Sequence, residues 1–86
     1  MVKEQEKQPI TLPEGMSGAV VINNTLDKMS VVVSGTVATI APSTSFLFIL
    51  PPAKYTFRIY RGGYKKAIPR EEELVAGTPR FIYMMT

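Results

Sequence analysis

The chain has 86 residues, of which 45% are hydrophobic and 20% are charged, and its formal net charge is +3 at pH 7. A chain of this length forms one domain with a small core, which excludes an interior that encloses a large cofactor. It contains neither Cys nor His, which excludes disulfides, thiolate nucleophiles and the commonest general base and metal ligand.

The first fifteen residues predict an extended arm, followed by a single β-domain at residues 16–86. Residues 3–7 read Lys-Glu-Gln-Glu-Lys, and Pro9 and Pro13 interrupt any continuing helix. The arm lacks the apolar run of a secretory signal, and the apolar runs elsewhere are too short to span a membrane. We therefore expect cytoplasmic synthesis, with later incorporation into a virion or a surface assembly; a mature fragment that carries an added Met is the alternative.

From Gly18 onward the sequence shows a period of two, with turn signals at short intervals, which predicts β-strands. The apolar run 18–22 predicts a first strand that is bounded by Asn23 and Asn24.

A two-residue hairpin is predicted around Ser34 and Gly35, between the segments Met29–Val33 and Thr36–Ile40. Since side chains alternate along a strand, this register gives each face its own set of residues. One face then carries Met29, Val31, Val33, Ala38 and Ile40, and the other carries Ser30, Val32, Val37 and Thr39.

A second hairpin is predicted between residues 45–50 and 55–60, with Leu50 opposite Tyr55. This pairing gives one bulky, aromatic face, which is the predicted core. Its residues are Phe46, Phe48, Leu50, Tyr55, Phe57 and Ile59. The opposite face carries Leu47, Ile49, Thr56, Arg58 and Tyr60.

The remaining residues predict shorter elements. Gly62 and Gly63 predict a hairpin turn that leads into a strand at 64–68, which Pro69 ends. Residues 71–77 are compatible with a strand or a short helical turn, and residues 80–84 are apolar on both faces, as in a central or partner-covered strand. The chain is therefore predicted to be all-β, a small antiparallel β-sandwich or barrel of six to seven short strands with an extended N-terminal arm.

Residues 29–66 resemble the PEGA-type repeats and, more broadly, the small transthyretin-like β-sandwiches. The resemblance rests on the segment 31–35, on Pro42, on Leu-Pro-Pro-Ala-Lys-Tyr-Thr-Phe-Arg-Ile-Tyr at 50–60, and on Gly-Tyr-Lys-Lys at 63–66. The family pattern has a glycine where this chain has Ala53-Lys54, and the name-giving tetrapeptide is missing. The resemblance implies a non-catalytic, surface-displayed β module and carries over no functional residues.

Residues for catalysis or metal binding are scarce, and we predict no enzyme activity, no cofactor and no metal site. The carboxylates at 71–73 are consecutive, so on a strand they do not all point at one ion, and they predict a solvated run. Asn23, Asn24 and Thr25 fit the glycosylation pattern, but a turn with Asx hydrogen bonds is the preferred interpretation.

The segment 54–70 carries six cations and no acid, interleaved with aromatic residues. Single-stranded nucleic acids are bound by cations that neutralise phosphates and by aromatic rings on which bases stack. A solvated basic edge and an electrostatic contact with an acidic protein are the alternatives. The candidate residues for an anion or nucleic-acid contact are Arg58, Arg61, Tyr64, Lys65 and Lys66.

The second candidate site is apolar, because the chain has more apolar surface than one small core buries. Val32 and Val37 are expected to adjoin it, unless a second sheet covers them. The predicted partner-contact residues are Leu47, Ile49, Tyr60, Phe81 and Tyr83. The sequence thus predicts a non-enzymatic structural or interaction module that acts as a subunit of a larger assembly, through self-association or other protein contacts. A virion accessory protein, a capsid-cementing protein or an appendage subunit fits this description, and the alternative is a small nucleic-acid-binding β-barrel.

Overall fold

Seven β-strands form two sheets in the computed structural model, which describes residues 11–62 and 65–85. The strands are β1 (Ser17–Asn24), β2 (Met29–Val33), β3 (Thr36–Ile40), β4 (Thr44–Leu50), β5 (Ala53–Arg61), β6 (Ile68–Leu74) and β7 (Pro79–Met85). One sheet has the order β4-β1-β7 and the other has the order β3-β2-β5-β6. No helix among the described residues is long and apolar enough to cross a membrane. The predicted all-β sandwich of six to seven strands is confirmed.

The hairpin of β2 and β3 has the predicted register, with Val33 opposite Thr36. Ser34 and Gly35 both have positive φ angles, 50° and 78°, as the favoured two-residue hairpin turn requires. Residues of the predicted inner face are buried, whereas those of the opposite face are partly or fully exposed. The alternation of side chains alone was sufficient to predict this element.

The predicted hairpin of β4 and β5 is wrong, because the two strands belong to different sheets. β4 pairs antiparallel with β1, and β5 pairs antiparallel with β2 and β6. Pro51 and Pro52 lie between them, and proline provides no backbone N–H and fixes φ. The connection therefore carries the chain from one sheet to the other, and Tyr55 Oη donates a hydrogen bond to the Pro51 carbonyl oxygen over 2.7 Å.

The core lies between the two sheets and contains most of the side chains that were predicted for it. Phe48 and Leu50 reach it from β4, and Phe57 and Ile59 reach it from β5. Tyr55 is partly buried against this cluster. The prediction of a core position is wrong for Phe46. Its ring centroid lies 4.8 Å from that of Phe48, but the residue remains 41% exposed because β4 is a sheet edge.

The last two strands also differ from the prediction. β6 starts at Ile68 and includes Pro69, which an edge strand tolerates, whereas residues 65–67 lie outside the strands and residues 63 and 64 lie outside the described part. β7 runs parallel to β1 and, within the described residues, pairs with no other strand. It is therefore an edge strand rather than a central one.

The carboxylates at 71–73 have three different environments. Glu72 is buried and forms ion pairs with Arg80 Nε at 2.8 Å and with Arg70 Nε at 3.2 Å. Glu71 lies 3.7 Å from Lys54 Nζ on the exposed side of β6, and Glu73 is exposed. The prediction of a wholly solvated run is wrong for Glu72, because β6 turns every second side chain towards the other sheet.

Candidate functional site

The outward side of the three-stranded sheet is an apolar surface, and we call it the outer apolar face. It is defined by alternation, since Ala19, Val21 and Ile82 point into the core and their neighbours on the strands point away. The register of β1 with β4 and β7 places Leu47 and Phe81 on either side of Val20. The face consists of Gly18, Val20, Ile22, Asn24, Ser45, Leu47, Ile49, Pro79, Phe81, Tyr83 and Met85.

None of these described positions carries a charge. Three of the side chains are well exposed: Tyr83 at 41%, Ile49 at 43% and Met85 at 63%. The outward side of the four-stranded sheet differs, since it carries Lys54, Arg58 and the exposed glutamates of β6. The sandwich therefore has one charged side and one uncharged side.

The centre of the outer apolar face is already packed. Val20 and Ile22 are fully buried although they point away from the core, and Leu47 and Phe81 pack against them. Leu12 covers Gly18, because a Cβ atom at Gly18 would lie 2.7 Å from Leu12 Cδ2. The glycine thus makes room for a leucine from the segment that precedes β1.

Part of the predicted arm can be located. Residues 11–15 lie outside the strands, and Met16 N–H donates a hydrogen bond to the Pro13 carbonyl oxygen. Residues 1–10 lie outside the described residues. The sequence analysis did not single out Leu12, and the nearest signal was Gly18, which has no side chain on a strand that is otherwise apolar.

The structure brings together most of the predicted partner-contact residues. Leu47, Ile49, Phe81 and Tyr83 share the outer apolar face. Tyr60 does not, because it lies on β5 opposite Ser30, on the outward side of the other sheet. Val32 and Val37 lie on that side too, so the single surface that was predicted is divided between the two sides of the sandwich.

The predicted anion-binding residues that the structure describes lie on β5 and in its connection to β6, which pairs antiparallel with β5. Arg58 is exposed on the outward side of β5, and Lys65 and Lys66 are exposed in the connection between β5 and β6. Arg61 Nε forms an ion pair with Asp27 Oδ2 at 3.1 Å, so the charge of this candidate is already partly neutralised. Tyr64 lies outside the described residues, so a nucleic-acid contact at these residues stays a prediction.

Asn23 holds together the end of the sandwich where β1 meets the following turn. Its side chain is fully buried, and Nδ2 donates to the carbonyl oxygens of Asp27 and Ile40 at 2.8 and 3.0 Å. Its Oδ1 accepts from the backbone N–H and the hydroxyl of Thr25. The preferred interpretation as an Asx turn is confirmed, and a glycan on Nδ2 is incompatible with this packing. The described residues contain no group of carboxylates that would hold a metal ion.

The comparison with solved structures shows a similarity over most of this chain. The N-terminal domain of AlgF from P. aeruginosa superimposes with a TM-score of 0.66 at 23% sequence identity, and the match covers 87% of each chain. At this identity the similarity shows the fold alone. No family model matches the chain, and no curated protein matches it in sequence. The resemblance to PEGA-type and transthyretin-like repeats therefore stays a prediction.

Proposed function

We propose that this protein is a non-enzymatic interaction module that joins a larger assembly through its outer apolar face. The observation that carries the proposal is the uncharged surface around Tyr83, Ile49 and Met85. Contiguous apolar patches of this kind mark protein contacts, because a monomer gains nothing from leaving them in water. The fold of the AlgF N-terminal domain supports a module, since by its name that fold is one domain of a larger protein.

The chemistry of the face suits a contact that is repeated many times in an assembly. Covering a half-exposed large apolar side chain contributes about 1 kcal/mol, so the three exposed residues contribute about 3 kcal/mol in total. A partner that covers the face desolvates no charged group, so no such penalty opposes binding. Aromatic residues such as Tyr83 contribute much of the binding energy at many protein contacts. A gain of this size is modest for one contact and is most useful where many copies bind together. A virion accessory, capsid-cementing or appendage subunit is the specific form of the proposal.

The proposal includes the absence of catalysis. The chain has neither His nor Cys, so a nucleophile would have to be activated by Lys or by one of few carboxylates. The buried carboxylate of Glu72 is already engaged by two arginines.

We expect the protein to occur in a particle heavier than the monomer of 9.5 kDa in extract of its source cells. The particle mass should not change on nuclease treatment, and Tyr83→Lys should release the chain from the particle. Lysine at this half-exposed position keeps its ammonium group in water, so the fold should survive. Thr39→Lys, on the opposite side of the sandwich, is the matched control. A monomeric mass for the unchanged protein in extract would refute the proposal.

The nucleic-acid alternative makes a different prediction at the exposed cations. If Arg58, Lys65 and Lys66 neutralise phosphates, replacing the three by Ser should abolish binding to a single-stranded oligonucleotide. The logarithm of the affinity should fall with the logarithm of the salt concentration with a slope of roughly −2 for three contacts. Lys54→Ser is the control, because Lys54 lies beside Glu71. An affinity that is independent of salt, or no binding at low salt, would eliminate this function.

A further inference from the structure

The strands β3 and β4, which form one side of the sandwich among the described residues, carry no charge. In a chain with 20% charged residues, none occurs between Lys28 and Lys54. Both edge strands of this side, and the residues 41–43 that join them, belong to that uncharged stretch. We call this side the uncharged rim.

The opposite side shows how an edge is normally protected. There β6 carries Pro69 and exposed glutamates, and the group of Arg70, Glu72 and Arg80 lies between β6 and β7. Charges and proline on an edge strand prevent another chain from pairing with it. The uncharged rim has no such protection on β4, whose sequence is Thr-Ser-Phe-Leu-Phe-Ile-Leu.

Apolar side chains are exposed on both faces of β4. Phe46 points towards the core side and is 41% exposed, and Ile49 points outward and is equally accessible. A strand that paired with the free side of β4 would cover part of both side chains, since residues on neighbouring strands contact each other across the pair. β4 therefore presents an apolar edge that is a template for pairing with another strand.

We propose that a second copy of this chain pairs antiparallel with β4, which joins two three-stranded sheets into one sheet of six. This proposal rests on the proposed function and identifies one partner as a second copy of the chain. The pairing makes the outer apolar faces of the two copies one continuous surface. A second copy is favoured because it brings a strand that is equally free of charge and proline. A two-fold axis gives antiparallel pairing of identical strands, as a closed dimer requires.

The length of β4 fixes the register. All seven residues pair only when the axis passes through Leu47, so that Leu47 faces Leu47 of the second copy and Phe46 faces its Phe48. The exposed ring of Phe46 then gains an aromatic neighbour across the strands, in addition to Phe48 of its own chain. No like charges oppose each other in this register.

The first test is the mass of the purified full-length chain by analytical ultracentrifugation, from low micromolar to millimolar concentration. We expect a concentration-dependent rise to twice 9.5 kDa. Phe46→Lys should raise the dimer dissociation constant at least tenfold. Ile68→Lys is the matched control: Ile68 is 44% exposed on β6, the edge strand on the opposite side of the sandwich, so this substitution should leave the dimer unchanged. A monomer at all concentrations, or an equal loss with Ile68→Lys, would overturn the proposal.

The second test does not depend on the stability of the Phe46 variant. The chain has no Cys, so Leu47→Cys introduces the only thiol. Directly opposite residues of an antiparallel pair have Cα atoms about 4.5–5.5 Å apart, which a disulfide spans. Mild oxidation should therefore give a covalent dimer of Leu47→Cys but not of Tyr83→Cys, and the absence of this difference would overturn the register. Failure here leaves the heavier particle and its sensitivity to Tyr83→Lys unaffected, so the two proposals fail separately.

Discussion

Phe57→Ala is expected to lower the free energy of unfolding by about 3–5 kcal/mol, which is most of the stability of a domain this small. Phe57 is fully buried, and its ring meets that of Phe48 edge to face at 5.8 Å. Because Phe48 lies on β4 and Phe57 on β5, this contact joins the two sheets. Removing the ring leaves a cavity where no backbone hydrogen bonds connect the sheets, and urea denaturation at low micromolar concentration measures the loss.

Phe46→Ala is the matched control for this prediction. Phe46 contacts the same Phe48 ring, at 4.8 Å, but is 41% exposed, so its removal should cost only about 1 kcal/mol. Equal costs for the two substitutions would contradict the position of the core between the sheets.

The sequence predicts which residues of this fold face inward better than it predicts which strands are neighbours. Alternation identifies Phe48, Leu50, Phe57 and Ile59 as core residues whether β4 and β5 share a sheet or lie in opposite ones. Pairing depends on the path of the connection, and the two prolines after Leu50 indicate that a tight hairpin is unfavourable there. In the hairpin of β2 and β3, by contrast, the turn residues and the alternation agree.

For the candidate surface too, the sequence predicts which residues point outward but not which of them lie on the same sheet. Leu47, Ile49, Phe81 and Tyr83 were predicted as contact residues because each is apolar and points away from a core face, and the structure places them together. Tyr60 met the same criterion but lies on the other sheet. The parallel pairing of β1 with β7, which brings residues 61 positions apart in sequence side by side at Val20 and Phe81, has no local signal. Only the sheet order decides which outward residues share a side.

The substitution Asn23→Ala should lower the free energy of unfolding by about 2–4 kcal/mol, because buried polar groups lose their partners. Asn23 Nδ2 satisfies the carbonyl oxygens of Asp27 and Ile40, and its Oδ1 accepts two hydrogen bonds from Thr25. The Asn23 carbonyl oxygen also accepts from Ser43 N–H, so this residue ties β1, the turn before β2 and the connection after β3 to one point. Every buried side-chain nitrogen or oxygen of the described residues has a partner, and the alanine variant would break that condition.

Asn23→Asp separates the lost hydrogen bonds from the lost volume. The carboxylate keeps the acceptor for Thr25 but places an oxygen against the carbonyl oxygens of Asp27 and Ile40, so at pH 7 the variant should be at least as unstable as Asn23→Ala. Burial raises the pKa of such a carboxyl above its value of about 3.9 in the unfolded chain, so its stability deficit should grow as the pH rises through the folded pKa and shrink towards pH 4. Thr39→Ala, at an exposed position of β3, should change the stability by no more than about 0.5 kcal/mol. Urea denaturation at pH 4 and pH 7 measures all three variants, and an Asn23→Ala variant as stable as Thr39→Ala would show that the buried amide does not hold this end of the sandwich.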